Sequence, residues 1–332
     1  MENSSVSGAQ KSLPSTKSTS LFLQIVEHPD GTVTRPAVPV LPPSGDQPDA
    51  DVLSRDVPLN PPNGTWLRIY RPNPLPPAAK LPVIIYFHGG GFVVFSSGTA
   101  FYHAFCEAMV RHVSALVVSV DYRLAPEHRL PAAYEDAAEA VLWLRSQLGR
   151  GGGGDPWLAR HGDASRCFLM GSSSGANMAY HAGLLLTALE LHPVKFTGLI
   201  LNQPYFGGEE MTPSETRSEE DQILPLRANQ MLWRLALPEG ADRDHRFCNP
   251  VAAVPAELRH LPMCLVTGCE GDPLVDRQRQ FVEMMEKEGS GGGATAVVAK
   301  FREGGFHAAE LLDPEWAETL IAEVRAFVAS AC

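Results

Sequence analysis

The sequence predicts an α/β protein, a mostly parallel sheet with helices on both faces, and three observations predict it. Short continuous apolar runs recur along the 332 residues: "VIIYF" from Val83, "ALVVSV" from Ala115, "CFLM" from Cys167, "GLILN" from Gly198 and "CLVTG" from Cys264. Runs without polar alternation read as strands buried on both faces. Between them lie stretches with apolar residues at helical spacing, and strands alternating with helices make parallel sheets. Finally, glycine-rich turns, "GGG" at Gly89 and "GSSSG" at Gly171, stand where two of the apolar runs end.

Element by element, residues 1–20 are polar and serine-rich, which predicts a disordered tail with too little apolar surface to offset ordering entropy. "LFLQIVEHPDGTVT" alternates around a Pro-Asp-Gly turn and predicts a hairpin over Leu21–Thr34. A Pro-rich link from Ala37 to Ala50 leads to "TWLRIYRP", a strand by alternation, and then to the buried strand before the glycine loop. A helix is expected over Ala100–His112, a buried strand over "ALVVSVDY", and a second helix over "LPAAYEDAAEAVLWLRSQL". The run Gly149–Pro156 reads as a flexible loop. "RCFLMGSSSGANMAYHAGLLLTAL" reads as strand, tight turn and helix, and "FTGLILNQPYF" as another buried strand.

From Gly207 to Arg246 the pattern weakens into acidic, polar sequence with one amphipathic piece at Met231–Leu237, so this insertion is expected over the sheet as part of a lid. Alternation resumes with "MCLVTG", the helix "VDRQRQFVEMMEKEG", a glycine loop at Gly289–Gly293, the strand "ATAVVAKF" and a last helix from Pro314 to Ala329. Residues 21–332 thus form one domain, with lid elements around 21–60 and 207–246.

The formal net charge of −11 disfavours nucleic acid and anionic membrane surfaces as partners. No stretch reaches the roughly 18 apolar residues of a membrane-spanning helix, and the N-terminus has no apolar signal-peptide core. The six cysteines (Cys106, Cys167, Cys248, Cys264, Cys269 and Cys332) are scattered without paired spacing and read as reduced thiols. A cytoplasmic protein, a monomer or weak homodimer, is therefore expected. The histidines show no metal spacing, and there is neither GxGxxG after a strand nor GxxxxGK[ST], so no metal and no cofactor are expected.

Gly171, Ser173 and Gly175 fit G-x-S-x-G where a strand meets a helix, the context of a nucleophile elbow. The same residues also suit a plain Ser/Gly turn that caps the helix through Ser172 or Ser174. "FHGGG" ends the earlier buried strand, and successive glycines there permit a backbone path on which N–H groups converge on an anionic oxygen. The N–H of Ser174 is the expected further donor. For this architecture the acid and the histidine follow the serine, each on a loop after a later strand. His307 is the one histidine in "REGGFHAAEL" and is the candidate base. Asp272, in the loop before Pro273, is preferred as its acid over Asp276, which begins a helix, and Glu270. His88 is expected to brace the glycine loop.

With these residues identified, the chain resembles the plant carboxylesterases, the branch of the α/β-hydrolase fold related to hormone-sensitive lipase. The resemblance runs from about Leu21 to the C-terminus. It rests on "YFHGGGF", "VVSVDYRLAPEHRLPAAYEDA", "GSSSGANMAYHAGL", "LPEGADRDHRFCNP" and "GDPLVDRQ". It implies an α/β-hydrolase domain, a Ser173–Asp272–His307 triad, and an oxyanion hole from Gly89, Gly90 and Gly91 with Ser174. It also implies hydrolysis of small, short-acyl carboxylic esters without a cofactor. Asp121, Tyr122, Arg123, Glu127 and His128, within the strongest identifying stretch, are expected to fix a loop by buried hydrogen bonds.

Substrate choice is expected from the lid, with Phe92, Tyr205, Phe206 and Trp233 as candidate apolar lining that would serve equally well as core. Two other readings share the fold. The gibberellin receptors resemble a hydrolase that lost its base histidine and carries serine at the third loop glycine, whereas His307 and Gly91 are present here. The related hydroxyisoflavanone dehydratases can carry threonine as nucleophile, where this chain has Ser173.

Overall fold

In the computed structural model, the described residues are 20–45, 47, 49–149, 153–289 and 296–331. The predicted disordered tail up to residue 19 and the cores of both glycine runs, 150–152 and 290–293, lie outside them. A 3₁₀ turn over Leu21–Gln24 precedes the two-residue strands β1 (Val26–Glu27) and β2 (Val33–Thr34). Then come β3 (Val52–Asn60), β4 (Thr65–Pro72), β5 (Leu81–Phe87), α1 (Ala100–Val113), β6 (Leu116–Asp121), α2 (Ala132–Leu148) and α3 (Pro156–His161). β7 (Gly162–Ser172), α4 (Ser174–Leu186) and β8 (Phe196–Asn202) follow, then α5 (Pro213–Arg217) and α6 (Leu226–Ala236) from the insertion. The chain ends with β9 (Met263–Cys269), α7 (Val275–Gly289), β10 (Val297–Arg302), α8 (Ala309–Leu312) and α9 (Pro314–Ser330).

The main sheet has eight strands in the order β10-β9-β8-β7-β5-β6-β4-β3. The strands β5 to β10 run parallel, and β4 lies antiparallel to both its neighbours, β6 and β3. Apolar runs make this possible because both faces are covered. Val83, Ile85 and Phe87 of β5 join the core that includes α2, α4 and α6, while Ile84 and Tyr86 point into the core beneath α1 and α9.

The short helices α5 and α8 are additions to the sequence expectation, and three further differences have a plain cause. The hairpin is only a two-residue ladder, because Leu21–Gln24 winds into a turn that buries Phe22 and is pinned where Ser20 Oγ donates to the Ile223 carbonyl at 2.6 Å. The strand β3 was hidden by its charges and by Pro58, which an edge strand tolerates where an inner one does not. The short helix α3 forms where Asp155 accepts from the backbone N–H groups of Trp157 and Leu158.

The tightest backbone contact lies where β7 meets α4. A methyl group at Gly175 would stand 1.9 Å from the Phe87 carbonyl oxygen, and one at Gly171 would stand 2.1 Å from the Gly175 carbonyl. Strand β5, strand β7 and helix α4 therefore touch through bare backbone. Gly175→Ala is expected to destabilise the protein by at least about 1–3 kcal/mol, the usual cost of overpacking; a urea midpoint equal to wild type would refute this reading of the contact.

Candidate active site

Ser173 occupies the single residue between β7 and α4, with φ 56° and ψ −121°. Positive φ is strained for a residue with a side chain, so it persists only where neighbouring bonds over-determine it. Here the Ser173 N–H donates to the Asn202 carbonyl at 2.9 Å, and its own carbonyl accepts from Tyr205 N–H at 3.0 Å and Ala176 N–H at 3.0 Å. The serine side chain is thereby turned toward the ends of the parallel strands.

There it meets a histidine and a carboxylate. His307 Nε2 lies 2.8 Å from Ser173 Oγ, and His307 Nδ1 lies 3.0 Å from each carboxylate oxygen of Asp272. With the carboxylate accepting from Nδ1–H, the Nε2 lone pair is left to accept from the serine hydroxyl. Asp272 is itself fixed by Leu274 N–H at 2.9 Å and by the Gln278 amide at 2.8 Å. Burial works against the imidazolium of His307, but Asp272, through charge and hydrogen bond, outweighs it with help from Glu310 and Asp221 and raises the histidine's pKa.

The other two acids considered from the sequence stand elsewhere. Asp276 accepts from the Ser214 N–H at 2.7 Å and ties α5 to α7, and Glu270 pairs with Arg279 near the surface. Ser172 is buried behind the elbow, its hydroxyl accepting from Tyr86 at 3.3 Å and from Asn202 at 3.2 Å. Ser174 is the first residue of α4, so its N–H has no acceptor within the helix.

The glycine loop lies beside the serine. Gly90 and Gly91 have φ of 118° and 61°, and Phe92 continues at 65°. Gly89 backs onto Ser173, where a methyl group would come within 3.2 Å of the serine Cβ. His88 braces the loop as expected: its Nδ1 is 2.7 Å from the Gly89 carbonyl, and its ring stacks on Tyr122 at 4.3 Å. Tyr122 in turn donates to the His88 carbonyl at 2.8 Å. Nearby, Asp121 accepts from the Ser97 N–H, and Arg123 pairs with buried Asp136. Glu127 and His128 depart from the buried-bond expectation; both are exposed, Glu127 pairing with Arg35 at the surface.

A cavity of about 230 Å³ opens on Ser173, Gly90 and His307. Its walls are apolar: Phe95, Phe101 and Tyr102 after the glycine loop, and Leu311 and Leu312 after the histidine. Leu21 and Phe22 line it together with Gln222 and Ile223, so both segments expected as lid contribute, though the β3 part of the first belongs to the sheet. Phe92, Tyr205, Phe206 and Trp233 are not among the lining residues. They are buried core, with Tyr205 stacked on Trp233 at 4.5 Å and Phe206 on Phe281 at 4.7 Å. The aromatic pair in "TAFY" carried no distinguishing signal, since Phe101 and Tyr102 fall within an ordinary amphipathic helix.

A family described as alpha/beta hydrolase fold matches residues 84–309, which include the elbow, the glycine loop, Asp272 and His307. The chain belongs to the alpha/beta hydrolase fold family. It is 45% identical over 317 residues to a probable carboxylesterase 8 of Arabidopsis thaliana, covering 93% of each chain. Identity is 42% to a 3-O-acetylpapaveroxine carboxylesterase of Papaver somniferum, over 92% of this chain and 96% of that one. Among solved structures, an esterase from Pyrobaculum calidifontis superposes with a TM-score of 0.69 at 26% identity, covering 84% of this chain and 85% of the other. This alpha/beta hydrolase is a carboxylesterase, a hydrolase of carboxylic esters. No helix among the described residues is long and apolar enough to cross a membrane.

Burial drives two histidines of this hydrolase the opposite way from His307: the pKa of His88 is pushed down to about 4 and that of His181 to about 3. Each would bind its proton in the unfolded chain near 6.5, so each contributes stability that is present above that value and lost as pH falls toward the folded pKa. In an NMR titration, His88 and His181 are expected to keep the neutral ring spectrum at pH 5.5 while His307 protonates above 6.5; a His88 midpoint near 6.5 would contradict its burial behind the glycine loop.

Proposed function

We propose that Ser173, His307 and Asp272 form the catalytic triad, and that the enzyme hydrolyses small, short-acyl esters through an acyl-enzyme. The continuous chain of contacts from Ser173 Oγ through His307 to Asp272, with the serine opening onto an apolar cavity, carries this reading. A serine hydroxyl is a weak nucleophile unless a positioned base removes its proton. His307 Nε2 takes that proton as Ser173 Oγ attacks the ester carbonyl, and Asp272 orients and stabilises the imidazolium. The N–H groups of the Gly89–Gly91 loop and of Ser174 hold the tetrahedral oxyanion. His307 then protonates the departing alcohol, and water repeats the sequence to release the acid. No cofactor enters these steps.

Pocket size supports the short-acyl preference, since about 230 Å³ with apolar walls suits a compact acyl group better than a long chain. The acetyl group in the name of the Papaver relative is consistent with it. Five unpaired buried cysteines among the described residues support a reducing compartment such as the cytoplasm, and a site complete within one chain supports a monomer or weak homodimer.

On p-nitrophenyl acetate, Ser173→Ala is expected to lose activity by a factor on the order of 10⁶ and to resist organophosphate labelling. Retention of either property would move the nucleophile. Asp272→Asn should cost on the order of 10⁴ in kcat while Asp276→Asn stays near wild type; the reverse order would reassign the acid. Because the base must be neutral to act, the raised pKa of His307 puts the acid limb of kcat/KM above the ordinary value of 6.5. An acid limb below 6.5 in a pH-rate profile would contradict the raised pKa that Asp272 gives His307.

A further inference from the structure

The histidine loop is gripped by a residue that the triad alone does not account for. Gln203 follows β8 immediately and has φ 44°, a left-handed conformation unusual for a side-chain-bearing residue. It is buried, and its amide uses both ends on the two residues flanking His307. Its Oε1 accepts from the Ala308 N–H at 2.8 Å, and its Nε2 donates to the Phe306 carbonyl at 3.0 Å. A side-chain amide paired with one N–H and one C=O imitates a strand partner, so the backbone on both sides of the histidine is held in register. The Nε2 group also approaches Cys269 Sγ at 3.2 Å, and the Gln203 N–H donates to the Thr267 carbonyl at 2.8 Å, which anchors the clamp to β9.

The preceding residue completes the connection, since the Asn202 carbonyl accepts the Ser173 N–H. Two consecutive residues at the end of β8 thus hold the turn that carries the serine and the loop that carries the histidine. Ala308 has φ 62°, so this loop is bent sharply after His307 and does not keep its path by backbone preference alone.

We propose that Gln203 is the positioning residue of the catalytic histidine, setting the reach of His307 toward Ser173 through Phe306 and Ala308. The proposal rests on His307 being the base. Gln203 touches neither Ser173 Oγ nor the cavity, so its loss should displace the base without emptying the substrate site.

Gln203→Met keeps the length of the side chain and removes both hydrogen bonds. It is expected to lower kcat on p-nitrophenyl acetate roughly 10- to 100-fold, as misplacement of a reacting group by about 1 Å does, with KM within about twofold of wild type. The acid limb of the pH profile should also move down, because a displaced His307 loses part of its contact with Asp272, whereas Glu310 and Asp221, the other charges acting on it, are unchanged by the substitution. Gln203→Glu, which can accept from Ala308 but cannot donate to Phe306 when ionised, should fall between Gln203→Met and wild type in kcat. Wild-type kcat and an unshifted acid limb in Gln203→Met would overturn the proposal.

Should the substituted proteins fail to fold, hydrogen exchange on the wild-type enzyme decides the matter. The Ala308 amide is expected to exchange at least 100-fold more slowly than an open loop amide, and exchange at the open rate would refute the clamp. Organophosphate labelling of wild type separates the two levels: absence of labelling would defeat the triad reading itself, whereas labelling together with a normal Gln203→Met defeats only the positioning role.

Discussion

Everything at this site depends on how closely a helix approaches two strands. With backbone atoms of Gly171, Gly175 and Phe87 in direct contact, α4 starts at the very end of β7, and one residue is left to make the turn. That residue takes a positive φ and its side chain is projected out of the sheet. Any side chain at either glycine would force the helix outward, and the bonds from Ser173 to Asn202 and Tyr205 would no longer reach. Strain at the serine is thus maintained by glycine contacts that themselves perform no chemistry.

Parallel order then supplies the partners. Strands β5, β7, β8, β9 and β10 all end on the same side of the sheet, so the loops that follow them converge although their residues lie far apart in the chain. The glycine loop follows β5, the serine β7, Gln203 β8, Asp272 β9 and His307 β10. Each of these strands contributes one position to the proposed site, and the sheet sets their spacing. Crossover helices on both faces bury the apolar runs that make the strands, so the same pattern that drives folding also aligns the site.

Electrostatically the site is a buried pair whose members need each other. Burial alone would strip the proton from His307, as it does for His88 and His181, yet contact with Asp272 reverses the direction. Asp272 in turn has its carboxylate satisfied by a backbone N–H and by Gln278, so its charge is supported within a protein interior. On the other side of Ser173 the cavity of about 230 Å³ presents mainly apolar walls, from Phe95, Phe101, Tyr102, Leu311 and Leu312.

The sequence by itself determined the layered α/β plan, because a buried parallel strand needs an uninterrupted apolar run and a covering helix needs 3.6-residue periodicity, and both are local properties. It also marked the elbow, the glycine loop and His307, since close backbone contact leaves a glycine signature and the histidine loop holds a single histidine. The loop position before Pro273 favours Asp272 over Asp276 and Glu270 in the sequence, and the tertiary structure supplies the contacts: the three crowd one short stretch, but Asp272 faces His307 while Asp276 faces Ser214 and Glu270 faces Arg279. Only the tertiary structure sent Phe92, Tyr205, Phe206 and Trp233 into the core and brought Phe95, Phe101, Tyr102 and the Leu21–Phe22 turn to the cavity, because an aromatic residue has the same local signature in either place. Gln203 left no trace in the sequence for a related reason: its amide pairs with backbone atoms about a hundred residues away, and backbone partners carry no side-chain identity to read.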